Sequence, residues 1–152
     1  MSDATVLALD LGTSGLKAAV ISSRAAVVDS EVVPLGVSML PGGGAEQNPA
    51  DWWAAIVKVT SALWARGVAK PQQVVGIALS SQWGGTVAVD KAGTPIRPAL
   101  IWMDSRGKDE NRRIAGGFPA VDGYGIVKAL SWIRKTGGVP SLSGKDPVGH
   151  IA

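Results

Sequence analysis

The sequence predicts a mixed α/β fold, and three observations carry that prediction. Three apolar runs separated by turn residues fill the first 35 positions. One strong helical pattern follows, opened by Asn-Pro at 48–49 and closed by Gly67. Short apolar runs at 74–81, 85–90 and 98–104 then return before any second helix of comparable strength. Strand–strand–strand–helix–strand is not the alternating series of a parallel βαβ sheet, so a mixed sheet flanked by helices is expected.

Each element has a local reason. Residues 5–10, TVLALD, read as a short buried strand ended by an acid and a glycine. Residues 16–22 read as its hairpin partner, and 25–35 as a third strand whose Pro34 marks an edge or an end. Residues 38–49 read as loop by composition. Asn48 suits an N-cap, Pro49 the first helical position, and Asp51 the positive end of the helix dipole. Trp53, Ile56, Val57, Leu63 and Trp64 recur at helical spacing and are expected to pack inward. KAGTP, 91–95, reads as the turn between the runs 85–90 and 98–104. Weaker helical patterns cover 105–115 and 123–136, and the remaining tail reads as loop without evident closure.

Bulk properties narrow the function. A chain of 152 residues, 46% apolar and 18% charged, suffices for one folded domain with a real core. The absence of cysteine excludes disulfides and thiolate chemistry and fits a reducing compartment. A single histidine, His150, excludes a multi-histidine metal site. The net charge of +3 is scattered, and RGKDENRR (106–113) alternates in sign, as a solvated helix face does. A nucleic-acid partner is therefore not expected. No apolar run approaches the ~18 residues that span a bilayer. The first residues lack a basic region and Asp10 interrupts the first apolar run, so neither membrane nor secretion is expected, and the location read is cytoplasmic.

The chemistry centres on DLGTSGLK, residues 10–17. Glycines at 12 and 15 allow a loop to turn backbone N–H groups inward as an anion-binding concavity. Thr13 and Ser14 add hydroxyl donors, Asp10 offers a hard oxygen suited to Mg²⁺ through its waters, and Lys17 adds a cation. The same octapeptide equally suits a plain hairpin turn. A dinucleotide fingerprint and a Walker loop are both absent. SGKD at 143–146 has Val139 where the first Walker glycine belongs, and Asp146 where Ser or Thr belongs.

Several ordered stretches resemble the FGGY family of carbohydrate kinases, in particular its xylulokinase-like members. ALDLGTSGLKAAVIS is similar to that family's first phosphate motif, and QNPADWWAAI to the segment before its first long helix. GIALSSQWGGTVAVDKAGTPIRPALIWMDSRG, 76–107, is similar to its strand–substrate loop–strand–turn–strand signature. The resemblance is strong over 5–107 and weak beyond. It implies an actin-like, ribonuclease-H-type fold, and a chain that is part of the N-terminal domain, with a C-terminal ATP-binding domain lying outside it.

The resemblance also implies roles. Asp10, Gly12, Thr13 and Ser14 would contact the ATP phosphates and Mg²⁺, with Lys17 at the same mouth. Gln82, Trp83 and Gly84 would touch a sugar or polyol, with Trp102, Asp104 and Arg106 of IWMDSR beside them. Here the chain reads QWGG where xylulokinases resemble QMHG, which removes a polar group and adds a stacking face. Asp104 and Arg106 equally suit a structural ion pair. The family's proton-accepting aspartate falls beyond this sequence. No catalytic base is therefore assigned, and the chain alone is expected to be inactive as a kinase. Unpaired strands predict association, as a homo-oligomer or otherwise, through exposed edges. The alternative is a non-catalytic domain that binds a ligand or partner. A different actin-like ATPase fits less well, because 76–107 lies outside the shared nucleotide motif.

Overall fold

The computed structural model describes residues 4–151. In chain order the elements are β1 (Thr5–Leu11), β2 (Gly15–Ser22), β3 (Val27–Pro34), β4 (Ser38–Leu40), β5 (Gly44–Gln47) and α1 (Pro49–Ala65). There follow β6 (Val74–Ser81), β7 (Ala99–Leu100), α2 (Lys108–Ala115), β8 (Ala120–Val121), β9 (Tyr124–Gly125), α3 (Ile126–Thr136) and α4 (Pro147–Ile151). They fall into two compact units, the first running to Val37 and resuming over Asn48–Gln82, the second holding Ser38–Gln47 and the chain from Trp83 onward.

The first unit is built on a four-stranded sheet of order β3-β2-β1-β6. The predicted meander is present: β1 and β2, then β2 and β3, pair antiparallel, and β6 joins β1 in parallel. The sheet is therefore mixed, as expected. Alternation puts Leu7 and Leu9 of β1, with Leu16, Ala18 and Val20 of β2, on one buried face. Ala55, Val59 and Leu63 of α1 close over them at a spacing of four, one stripe of the helix.

That stripe corrects the expected helix face. Trp53 and Val57 lie two residues either side of Ala55, about 200° around the helix, and are exposed. Ile56 and Trp64 flank the stripe and pack partly against the core. The predicted start is present, since the Asn48 side chain accepts the Ala50 N–H at 3.1 Å. At the other end Arg66 reaches Asp29 and Glu31 of β3, each at 2.6 Å.

Strand β6 departs from the ordinary buried pattern. Its register sets Ile77 beside Leu7 and Leu79 beside Leu9, on the face that α1 covers. Yet α1 lies over β2 and β3, so Val75, Ile77 and Leu79 remain 63–75% exposed. This leaves an apolar edge strand.

The second unit holds most of the departures from expectation. Residues 38–49 are not loop: β4 and β5 form a hairpin across a Pro41–Gly43 turn, and β5 also pairs with β7. Three-residue strands of mixed polarity give no periodic signal, which is why composition misled. The run 85–90 makes only isolated bridges, Thr86 to Leu100 and Val89 to Pro95, and only Ala99–Leu100 of 98–104 is strand. Between them the predicted KAGTP turn is present, the Asp90 carboxylate accepting the Ala92 and Thr94 N–H groups at 2.8 and 2.9 Å. The two weak helical patterns become α2 and α3, with the short β8–β9 hairpin leading into α3. The tail is not open. It ends in α4, with Asp146 buried at its start. Among the described residues no helix is long and apolar enough to cross a membrane.

Candidate functional site

In the first unit the turn between β1 and β2 gathers the predicted phosphate-side residues. Asp10 and Lys17 are register partners, which puts both side chains on one face, and they approach to 3.8 Å. Both are substantially exposed, so the pair contributes little stability and both groups face solvent. The Gly12 N–H does not point to a ligand. It closes the turn, donating to the Gly15 carbonyl at 3.0 Å and to the Asp10 carbonyl at 3.1 Å. A side chain at Gly12 would press within 3.2 Å of the Gly15 oxygen, so compactness of the turn accounts for the residue. The Ser14 side is exposed.

The structure adds a link that spacing alone does not show. The Thr13 hydroxyl donates to the Gln82 side-chain oxygen at 3.0 Å, across 69 positions of sequence. The Gln82 N–H in turn donates to the Leu11 carbonyl at 2.8 Å. Because β6 runs parallel to β1, both strands end at the same place, and their following residues meet. A shallow cavity of about 440 Å³ opens on the sheet beside Asp10 and Lys17, with Ala8, Ala19, Ala78 and Ser80 among its lining.

The exposed carboxylate of Asp10, hydroxyl of Ser14 and ammonium of Lys17 fit the charge pattern of a magnesium–polyphosphate. No group of three or more His, Asp or Glu capable of holding a metal occurs among the described residues. An ion here would be held by one carboxylate, waters and phosphate oxygens, which is the ordinary habit of Mg²⁺.

The second unit holds the remaining candidates. Trp83 is 71% exposed and Trp102 39%. Gly84 has φ +69°, a left-handed conformation that disfavours any side chain, and its Cβ position faces the Trp102 Cβ at 3.6 Å. The backbone therefore asks for glycine at 84, quite apart from sugar recognition. Asp104 is buried, its side chain 1% exposed. It accepts the Ala45 N–H at 2.9 Å, the Arg106 N–H at 3.0 Å and the Arg106 guanidinium at 2.6–3.0 Å. Arg106 also reaches Glu46 at 2.6 Å, and Arg97 joins Glu46 at 2.9 Å. Glu46 escaped sequence reasoning because it lies in the segment read as loop.

Burial pushes the Asp104 carboxyl upward, but Arg106 and the Ala45 and Arg106 amides outweigh it and hold the group below the usual carboxylate range. The Asp104 and Glu46 carboxylates raise the Arg106 pKa further above its ordinary value.

A second buried knot lies at the tail. Burial also pushes Asp146 upward, and the Gly149 and Ser141 N–H groups, at 2.9 and 2.5 Å, with the Asn111 amide at 2.9 Å, bring it below the ordinary range. Asn111 is fully buried, which corrects the reading of 106–113 as wholly solvated. Asp146-Pro147 is itself a turn-and-helix-start signal, and would have marked this closure. His150 shifts the other way from a surface imidazole. Burial lowers it, against the opposing pull of the Asp104 and Asp146 carboxylates.

These shifts fix a pH dependence. All three groups bind protons less readily when folded, so their stabilisation is present above their unfolded pKa values and is lost as pH falls. Stability should be level from about pH 7 to 8, and should decline first below about 6.5 as His150 is forced to charge. It should fall again below about 4 as Asp104 and Asp146 protonate. Urea midpoints measured from pH 8 to pH 3 check this. A midpoint that rises between pH 7 and pH 5 would contradict it.

Comparison with known proteins decides the family. Residues 5–121 match the N-terminal domain of the FGGY family of carbohydrate kinases. The chain belongs to that family. It is 34% identical over 139 residues to a xylulose kinase of Streptomyces coelicolor, covering 91% of this chain and 26% of that protein. It is 35% identical over 139 residues to a xylulose kinase of Klebsiella pneumoniae, covering 85% and 28%. The crystal structure of a xylulose kinase from Rhodospirillum rubrum superposes with a TM-score of 0.72 at 27% identity, over 90% of this chain and 26% of that one. The fold is thus the actin-like α/β fold of the FGGY kinases, and the chain spans about a quarter of the length of the curated relatives it matches. The FGGY match contains both the β1–β2 turn and the Trp83–Arg106 region, the two places where the candidate residues cluster.

Proposed function

We propose that this chain is the sugar-contacting and first phosphate-contacting part of an ATP-dependent carbohydrate kinase, acting on a xylulose-like ketopentose. The observation that carries the reading is the Thr13–Gln82 hydrogen bond, which couples the β1–β2 turn to the first residue of the QWGG segment. Phosphoryl transfer depends on positioning and charge neutralisation, and Gln82 directly follows β6 of the sheet that carries the turn.

In this reading the Asp10 carboxylate would hold the metal through its waters and the Ser14 hydroxyl would donate to phosphate oxygens, while the Thr13 hydroxyl, its proton given to Gln82, fixes the turn beside them. Lys17, across the ladder from Asp10, offsets phosphate charge. Bound Mg²⁺ supplies electrostatic stabilisation of the transferring phosphoryl group. Gln82 hydrogen-bonds a sugar hydroxyl, Trp83 and Trp102 offer flat faces to the ring, and Gly84 keeps the backbone close to it. Asp104 and Arg106 act one step back, as the ion pair that frames this segment. None of the described residues is assigned as the proton acceptor. A cytoplasmic setting belongs to the same reading, because ATP is the phosphoryl donor.

The chain should be titrated with ketopentoses, ketohexoses and polyols, following its tryptophan indole resonances by NMR, with ADP release measured alongside. Saturable binding of a ketopentose that moves the Trp83 and Trp102 signals is expected. ADP release by this chain alone at kinase rates, about 1–100 s⁻¹, is not. A folded chain that binds no sugar of the panel would overturn the assignment.

A further inference from the structure

His150 is the sole histidine of the chain and has no part in the chemistry above. Its surroundings are unusually determined. Asp146 fixes the start of α4 by accepting the Gly149 N–H at 2.9 Å and the Ser141 N–H at 2.5 Å. Gly107, Gly144 and Gly149 stack backbone on backbone, and a Cβ at Gly107 would collide with the Gly149 carbonyl. Only glycines let α4 approach this closely. The result is an imidazole set against the 84–102 ladder.

The contact itself is specific. His150 Nδ1 lies 3.0 Å from the Thr86 hydroxyl. Thr86 exchanges both backbone hydrogen bonds with Leu100, at 2.8 and 3.0 Å. Gly84 lies two residues before Thr86 and Trp102 two residues after Leu100, and these two arms meet again where Gly84 faces Trp102. The His150–Thr86 bond thus grips the ladder one step behind the residues read as sugar contacts. His150 Nε2 is buried, and the Asp104 backbone lies against the ring. The charged groups facing the ring are Asp104 and Arg106 from the turn after β7, and Asp146 from the start of α4.

We propose that His150 is a positioning residue for sugar recognition, its imidazole holding the Trp83–Gly84 and Trp102 arms together through Thr86. The proposal rests on the reading of those arms as sugar contacts, although their arrangement can be tested without sugar.

Thr86→Val, His150→Ala and His150→Gln test this in the chain as described, with indole and imidazole resonances followed by NMR. Without sugar, Thr86→Val and His150→Ala should shift the Trp83 and Trp102 indole signals and leave those of Trp52, Trp53 and Trp64 in place. Ketopentose affinity should weaken about 2–10-fold, the range of one hydrogen bond. His150→Gln, which keeps a group able to reach Thr86, should recover most of that loss. If His150→Ala fails to fold, Thr86→Val still cuts the same bond from the other side. Unmoved Trp83 and Trp102 signals in folded Thr86→Val would overturn the proposal, whatever the sugar result. Moved signals in a chain that binds no sugar would instead refute the sugar assignment and leave the grip standing.

Discussion

Asp104→Ala should destabilise the fold by about 3–5 kcal/mol, the range for removing one partner of a buried ion pair. The carboxylate is almost wholly buried and both oxygens are occupied. One accepts the Ala45 N–H and holds β5, while the other closes the turn on the Arg106 N–H. Removing it strands two amides and a guanidinium whose other anchor is Glu46 alone. Asp104→Asn keeps the shape but presents an amide to the arginine, so it should lose most of the same stability. Arg106→Lys should not substitute for arginine, because an ammonium cannot reproduce the forked contact. Urea unfolding at pH 7 reads the effect. A loss under about 1 kcal/mol in Asp104→Ala would show that the pair is dispensable, as exposed pairs are.

The second large effect concerns activity. In a kinase carrying this segment, Asp10→Ala should lower kcat by about 10²–10³, the loss typical of removing one electrostatic stabiliser of a transition state. The argument is positional. Asp10 stands at the end of β1 beside the turn, half exposed, with Lys17 across the ladder. Its carboxylate is not needed by the fold, so a folded variant with unchanged unfolding midpoint is expected. KM for the sugar should stay close to that of the parent, since the sugar contacts are assigned elsewhere. Steady-state kinetics over a range of Mg²⁺ concentrations separates these terms. A variant with normal kcat would remove Asp10 from the phosphate machinery.

Much of this was legible beforehand because the relevant signals are local. The β1–β2–β3 meander follows from apolar runs punctuated by turn residues, and α1 from Asn48, Pro49 and Asp51 at its start. Trp53 and Val57 depart from the expected inward face for a geometric reason. Helical spacing alone marks more than one face, and only the sheet decides that Ala55, Val59 and Leu63 make the buried stripe. In the second unit short strands of mixed polarity carry no period, so β4, β5 and Glu46 stayed hidden.

By itself the sequence determined the order of the main elements, the turn chemistry of 10–17, and the family through motifs read in succession. Those are properties of neighbouring residues, set by dihedral preference, periodicity and spacing. Tertiary structure alone decided which distant groups meet: Thr13 with Gln82, Asp104 with Ala45 and Glu46 through Arg106, and His150 with Thr86. It also decided that Gly12 closes a turn and that Asp146 seals the tail. Hydrogen bonds and burial depend on the separation of groups in space, and sheet pairing and close backbone packing set that separation over spans of 60 residues and more.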